Sequence, residues 1–404
     1  MIKSDFIAIS SDFLNERELQ KILLANQTKL KKFCQDQIDE ADILNAAKVC
    51  YFIATGGTEA QVIALQKQRD RIFTHEEVTL LAYESNNSLA ASLELLARFQ
   101  QLGNSGRIIY LPESDAIIEE NDKIRNLAIK DVLSGYRIGQ IGKPSDWLVA
   151  SSPSAKTVKD YWGADLIDIE LADLKQLYSQ ISQTECANAS AALTSSSQKI
   201  IEPSEQDITN NVKVYLAMKK LIQRYSLDAV TLRCFDLVLD LGTTGCFALS
   251  RLNDEGVIAG CEGDIVSTLG MLFSYQKTGI LPWMANPSSL DIKHNSLILA
   301  HCTVPISMVK NYTLRSHFES GIGIGIQGKI PSNEVTIFRI GGNKLDKIWQ
   351  AKGKLSSDPL QEDLCRTQVK ITLDPDRKVG ELLTNPLGNH LIVLPGYQGD
   401  LTAT

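Results

Sequence analysis

The chain reads as an α/β protein: two Rossmann-like parallel-sheet α/β domains followed by a β-rich, barrel-like C-terminal domain. Three observations predict this. Short apolar runs alternate with helix-periodic segments over the first two thirds of the chain. One of those runs, residues 48–54, is almost continuously apolar, as a strand covered on both faces must be. From about residue 288 the pattern becomes period-two, the spacing of half-buried strands. The 404 residues leave room for two or three cores. We divide them at residues 1–121, 122–285 and 286–404.

The elements follow in order. Residues 5–10 read as a strand and 17–39 as a helix with Leu19, Ile22, Leu23 and Leu30 on one side. The strand at 48–54 ends in Thr55-Gly56-Gly57-Thr58-Glu59 and a helix to about Gln68. Residues 78–83 form the next strand, Asn87 opens a helix to about Leu102, and 107–111 is a strand. An Ile- and Leu-rich helix is expected over 121–133, then a strand at 136–142 with residues 143–147 as a loop at its carboxyl end. Residues 165–169 are a strand. Residues 183–203, rich in Ser, Ala, Thr and Gln, read as a loop or flap. A helix at 207–225 precedes the strand 229–234.

Further on, the turn Gly256–Gly260 leads into Cys261-Glu262-Gly263-Asp264 and then an apolar, helix-periodic run. Residues 321–328 alternate glycine with isoleucine and contain a formal Gly-x-Gly-x-x-Gly. No helix pattern follows, so they read as a strand with a close backbone neighbour, not a dinucleotide loop. Residues 334–340, 367–373 and 390–394 are the remaining strands.

Composition narrows the function. Apolar residues make up 44% and charged residues 22%, ordinary for a globular protein. A net charge of −7 without a basic block argues against nucleic acid. No run reaches membrane-spanning length and the start lacks a signal-like apolar region. The eight cysteines are scattered without a Cys-x-x-Cys pair, as buried thiols in a cytoplasmic protein are.

The chemistry centres on the Glu-Gly-Asp turn. A carboxylate between a buried strand and a helix N-terminus can bind a cation or move a proton; equally, Asp264 can cap the helix and Glu262 can be solvated. Downstream, Asn286 sits in Pro-Trp-Met-Ala-Asn-Pro, His301 ends an apolar run, and His390 follows Gly388-Asn389. A carboxylate with two imidazoles is a common ligand set for a divalent metal, although each histidine alone fits a core position as well. The Gly56-Gly57 turn is either a strand-to-helix turn or an anion cradle.

The stretch from Cys261-Glu262-Gly263-Asp264 through Met284-Ala285-Asn286 and Leu299-Ala300-His301-Cys302 to Gly388-Asn389-His390 resembles the metal-site region of the L-arabinose and L-fucose isomerases. The resemblance implies a metal-dependent aldose–ketose isomerase for a pentose, a 6-deoxyhexose or a C6-modified sugar. Glu262, His301 and His390, with Asn286, would be ligands to Mn²⁺ (or Mg²⁺ or Co²⁺). Asn389 would contact the sugar. Glu59, Asn86 and Asn87 would reach a neighbouring subunit's site in a homotrimer or homohexamer.

One departure bears on activity. Asn286 stands where both families carry an acid, and an amide cannot act as a general base. Asp236, at the end of its strand, is the preferred replacement or else an ordinary helix cap; Asp264, Asp291 and Glu319 are further candidates. His317 and Glu319, two apart on an expected strand, would face one way, as an acid–base pair or an exposed hairpin approach. Two other readings follow from Asn286 and from enediolate chemistry: a sugar-binding or regulatory protein on the same scaffold, and a related lyase or epimerase.

Overall fold

The computed structural model describes residues 4–12, 14–74, 76–116, 118, 123–357 and 359–403. The first five strands are β1 (Ser4–Ile9), β2 (Cys34–Gln37), β3 (Val49–Ile53), β4 (Val78–Ala82) and β5 (Gly106–Tyr110). They form one parallel sheet in the order β2-β1-β3-β4-β5. β3 and β4 are buried at every position, which their unbroken apolar sequences require. Helices α1 (Glu16–Phe33), α2 (Glu59–Arg69) and α3 (Ser88–Gln101) make the crossovers. The first helix is shorter than expected. Residues Cys34–Gln37 leave it to pair with β1, extending the sheet by one strand.

The helix expected at 121–133 is absent among the described residues. Instead Arg125–Asn126 form β6 and pair with a strand of the C-terminal sheet. Leu127, Ile129 and Leu133 are buried by that docking. An edge hydrogen-bond ladder and burial overrode the local helical pattern here.

The second parallel sheet holds β7 (Arg137–Ile141), β8 (Asp165–Ile169), β10 (Ala229–Leu232) and β11 (Ile258–Gly260), in the order β11-β10-β7-β8. Between them lie α4 (Ala155–Trp162), α5 (Leu171–Gln180), α6 (Gln183–Ser196), β9 (Lys199–Ile200), α7 (Glu205–Tyr225), α8 (Phe235–Leu241) and α9 (Cys246–Asp254); α10 (Ile265–Thr278) follows β11. The α6 helix replaces most of the expected flap. Its signal was a capping box: Ser182 and Glu185 exchange side-chain and backbone hydrogen bonds at its start.

The C-terminal sheet is antiparallel: β12 (Trp283–Asp291), β13 (Ser296–His301), β16 (Glu334–Gly341), β17 (Lys347–Ser357), β18 (Thr367–Leu373) and, after α11 (Glu381–Thr384), β19 (Leu391–Pro395). Its order is β16-β19-β12-β13-β18-β17-β6, and the pairing of β16 with β17 closes it into a barrel. β14 (Tyr312–Arg315) and β15 (Gly325–Gly328) form a separate small sheet with β9. Only the second half of the 321–328 segment, Gly325–Gly328, is strand. His317 and Glu319 lie in the turn between β14 and β15, not on a strand as expected. Among the described residues no helix is long and apolar enough to cross a membrane.

Candidate metal centre and cavity

The carboxyl ends of both parallel sheets open onto one cavity of about 460 Å³, the edge at which open α/β sheets bind ligands. The first sheet contributes the segments after β1 (Ser10–Asp12), β3 (Thr55–Glu59) and β4 (Asn86, Asn87). The second contributes Trp147 after β7, Phe235 after β10 and Glu262 after β11; the barrel side adds Asn286 and Asn389. Backbone strain collects there. Asn86, Asn87 and Glu262 are non-glycine residues with φ of 52°, 57° and 63°, and all three line the cavity.

Glu262 owes its position to the turn it sits in. Gly263 has φ of 75°, and a Cβ on it would lie 2.6 Å from Pro144 Cα. Only glycine lets the turn pack against the loop after β7, which brings Trp147 to Glu262. Trp147 Nε1 donates to Glu262 Oε2 at 2.6 Å. Asp264 does cap α10, accepting from Ser267 N at 2.7 Å, and it is fully buried. Glu262 is not solvated; it is only 8% exposed. The Asp264 cap is thus present, and the solvated Glu262 is not.

His301 ends β13 and His390 immediately precedes β19. Their rings lie 5.5 Å apart. Each uses Nδ1 for an outer partner: His301 for the Thr303 hydroxyl at 2.8 Å, His390 for Asp264 Oδ2 at 2.9 Å. That leaves Nε2 of each ring for the site. One donor atom each from Glu262, His301 and His390 lies within 4.8 Å of the others, and all three residues are buried. His390 Nε2 is 3.5 Å from Glu262 Oε1 and has no hydrogen-bond partner; neither has Asn286 Oδ1, which faces the same cavity. Buried polar atoms left over in one place, from a carboxylate, two imidazoles and an amide oxygen, suit a divalent cation.

The electrostatics separate the two histidines. Burial lowers His301, and the charge of His390 lowers it further, to about 4 against the opposing pull of Glu262. Burial also works against protonated His390, but the charge of Glu262 and the hydrogen bond to Asp264 outweigh it and raise its pKa to about 9. Glu262 is buried, which alone would raise it; the charge and contact of His390 and the Trp147 hydrogen bond lower it overall. Asp264 is likewise held down, against its burial, by Arg339 at 3.2 Å and by His390.

A buried polar frame fixes the ligands. Arg339 bonds Asp264, Ser267 and Ser151. Glu94 accepts from the backbone N–H groups of Ala150, Ser151 and Asn389 and from the Ser151 hydroxyl. Gly388 has φ of 144°, and any Cβ there would strike the Arg339 guanidinium. The Gly388-Asn389-His390 motif thus needs its glycine to seat the last ligand. Sequence reasoning missed Trp147, Glu94 and Arg339. The signals existed: a Trp in a loop at a strand's carboxyl end, and one acid in an otherwise apolar helix.

The other expected residues fall as follows. Asn389 lines the cavity, its Oδ1 buried and unpartnered. Glu59 and Asn87 line the cavity, and Asn87 Nδ2 donates to Glu319 Oε1 of the same chain at 2.7 Å. Glu59 is 2% exposed with Oε2 unpartnered; burial raises its pKa well above the carboxylate range, opposed by the backbone N–H groups of Glu59 and Thr58 and reinforced by the charges of Glu94 and Glu262. Glu319 opens onto the cavity, yet the protein around it raises its pKa. The nearby His317 opposes that, the charge of Glu262 adds to it, and the Asn87 hydrogen bond opposes it. His317 is buried behind the wall, its Nδ1 3.0 Å from Ser320 Oγ and its ring against Phe235.

Asp236 stands apart. It pairs with Arg233 at 2.8 Å in the first turn of α8 and is not among the cavity's walls; the helix turns its neighbour Phe235 inward instead. Asp291 pairs with His294 on the rim of the barrel. None of the eight cysteines is in a disulfide, and seven are buried.

No family model matches the chain. It is 24% identical over 298 residues to a sulfoquinovose isomerase of Clostridium sp. (strain MSTE9), covering 70% of this chain and 66% of the relative. It is 24% identical over 226 residues to that of Priestia aryabhattai, covering 54% and 50%, and 24% identical over 221 residues to that of Alkalicoccus urumqiensis, covering 53% and 49%. The matched region thus spans between about half and two thirds of these curated relatives. The resemblance read from the sequence holds at that level: the chain is a distant relative of the sulfoquinovose isomerases, within the L-fucose/L-arabinose isomerase-like superfamily.

Proposed function

We propose that the protein is a metal-dependent sugar isomerase that interconverts an aldose and a ketose. The observation that carries this is the convergence of Glu262, His301 and His390 beside a cavity whose walls also carry Glu59 and Glu319. Glu262, His301 and His390 would hold the ion, Mn²⁺ before Mg²⁺ or Co²⁺, with the Asn286 amide oxygen beside them. A bound divalent cation supplies Lewis-acid polarisation of a carbonyl and acidifies a hydroxyl.

The chain's own residues supply the proton handling. Isomerisation moves a proton between neighbouring carbons or oxygens, so it needs a group that can both take and give one near neutral pH. Asn286 cannot. Glu319 is the replacement the geometry favours. It faces the cavity, Asn87 fixes one of its oxygens, and burial raises its pKa above the ordinary carboxylate value. Asn389 and Glu59 offer unpartnered oxygens to sugar hydroxyls. Trp147, Phe235 and Phe318 give the cavity apolar walls that limit water.

The names of the relatives, the absence of disulfides among the described residues and the polar cavity support a cytoplasmic enzyme of carbohydrate metabolism. A homotrimer or homohexamer is part of the same reading, from family resemblance alone. The test is metal analysis of purified protein together with turnover on a panel of aldoses and ketoses, with Glu262→Gln as control. A wild type that binds Mn²⁺ and forms ketose, and a folded E262Q that does neither, is the expected result. A sugar bound tightly without metal and without conversion would instead support a binding protein on this scaffold, the reading Asn286 motivates.

A further inference from the structure

The cavity walls carry carboxylates and no compensating cation. Asp12, Glu18, Glu59, Glu262 and Glu319 all line it; no lysine or arginine does among the described residues. A divalent ion on the triad would offset Glu262, but not the acids at the other end. Those acids have a definite place. A side chain at Gly57 would touch Ser11 on one side and Trp147 on the other, and Trp147 is the residue bonded to Glu262. The segment after β1, with Asp12 and the Glu18 of α1 on the same cavity, therefore packs against the Gly57 turn, as Trp147 does. Glu18 is held there by Asn15, which donates to its Oε2 at 2.7 Å.

A backbone feature suited to an anion already has a carboxyl beside it. The α2 N-terminus faces the cavity behind Gly56 and Gly57, where free N–H groups and the helix dipole attract negative charge. The Glu59 carboxyl lies against the N–H groups of Thr58 and Glu59 itself. It occupies the cradle, and its second oxygen points onward without a partner. An incoming anion would meet a carboxyl in place of N–H groups.

We infer that this site takes an uncharged aldose and rejects one carrying a sulfonate or phosphate at the end remote from the reacting carbons, unlike the sugar named for its relatives. The inference rests on the isomerase reading above, which puts the sugar's first two carbons at the Glu262 end. Carboxylates and the amides of Gln61, Asn86 and Asn87 are good acceptors and donors for hydroxyl groups. Asp12 and Glu18 repel a fixed negative charge, and in a partly enclosed cavity one uncompensated like charge is worth about tenfold or more in affinity.

Calorimetric titration of the Mn²⁺-loaded protein with sulfoquinovose and with 6-deoxyglucose, the same sugar without its sulfonate, tests this. The expected result is binding of the uncharged sugar at least about tenfold tighter. Rising salt should narrow the gap, because screening weakens the repulsion while leaving the uncharged sugar unaffected. Asp12→Lys, on an exposed turn, should narrow it as well. Equal or tighter binding of the sulfonated sugar, or a gap that neither salt nor D12K changes, overturns the inference and leaves the isomerase reading standing. Failure of either sugar to bind, with no conversion of any aldose on the panel, overturns both.

Discussion

The two sides of the cavity are built to different standards. On the Glu262 side four groups have an outer partner: Trp147 for Glu262, Thr303 for His301, Asp264 for His390, Glu94 for the backbone of Asn389. Arg339, 1% exposed, ties several of these together. On the first-sheet side the groups sit on the loops after β1, β3 and β4, and Glu59 keeps an oxygen with no partner at all. The first arrangement fixes donor atoms in space. The second carries its groups on loops without such a frame; unpartnered atoms remain on both sides, His390 Nε2, Asn286 Oδ1 and Asn389 Oδ1 on the first and Glu59 Oε2 on the second. That division is what a reaction centre needs from one wall and a specificity surface from the other.

The strongest way to break the comparison is to remove a support from the rigid side. Arg339→Met strands the buried Asp264 charge, so unfolding stability should fall by about 3–5 kcal/mol, measured by denaturant titration. A matching cut on the loop side, Asn87→Ala, should cost less than about 1 kcal/mol. Equal losses would mean that both walls are equally structural.

Next comes proton transfer. Glu319→Gln should lower turnover by about 100-fold or more, the lower range for a general acid–base group, while metal content stays unchanged. Steady-state kinetics beside metal analysis reads both. Loss of metal with unaltered turnover per bound ion would place Glu319 among the ligands instead.

The pH dependence sharpens the rigid side. In metal-free protein the folded pKa of His390 is raised to about 9. Its charged form therefore stabilises the fold fully below the unfolded value near 6.5, and that contribution is lost as pH rises through about 9. A cation needs the neutral ring, so binding at pH 7 should release close to one proton. Calorimetry in buffers of different ionisation enthalpy counts it; zero release would show that His390 is not a ligand.

The smallest effect belongs to Glu59. Its carboxyl pKa is raised by burial, so the folded state holds the proton more tightly than the unfolded state. Stability from this group is present below the unfolded carboxylate value and lost as pH rises through the folded one. Glu59→Gln should therefore raise the thermal midpoint modestly at pH 7 and change it little at pH 4. A lower midpoint at pH 7 would show that the ionised carboxylate is needed.

Much of this was legible in the chain. The buried strands at residues 48–54 and 78–83 announced a parallel sheet, because a strand covered twice has no place for polar residues. The Glu262, His301 and His390 motifs stood at the ends of apolar runs, so their type and local setting could be read. The helix expected at 121–133 could not be corrected from sequence, since what defeats it is pairing between Arg125–Asn126 and Lys347–Ile348, more than 200 residues away. Asp236 shows the same limit in a site residue: its strand end was read correctly, but the first turn of α8 sends Asp236 to Arg233 and Phe235 to the cavity.

What the sequence by itself determined is everything set by neighbours a few residues apart: strand and helix periodicity, the Asp264 cap, the glycine that lets Glu262 turn. Only the tertiary structure decided that two sheet edges face one cavity, that Glu59 and Asn87 meet Glu262 and Glu319 within one chain, and that five acidic residues and, among the described residues, no lysine or arginine line it. Those facts depend on distances between segments that lie far apart along the chain. Local pattern carries no information about such distances until packing fixes them.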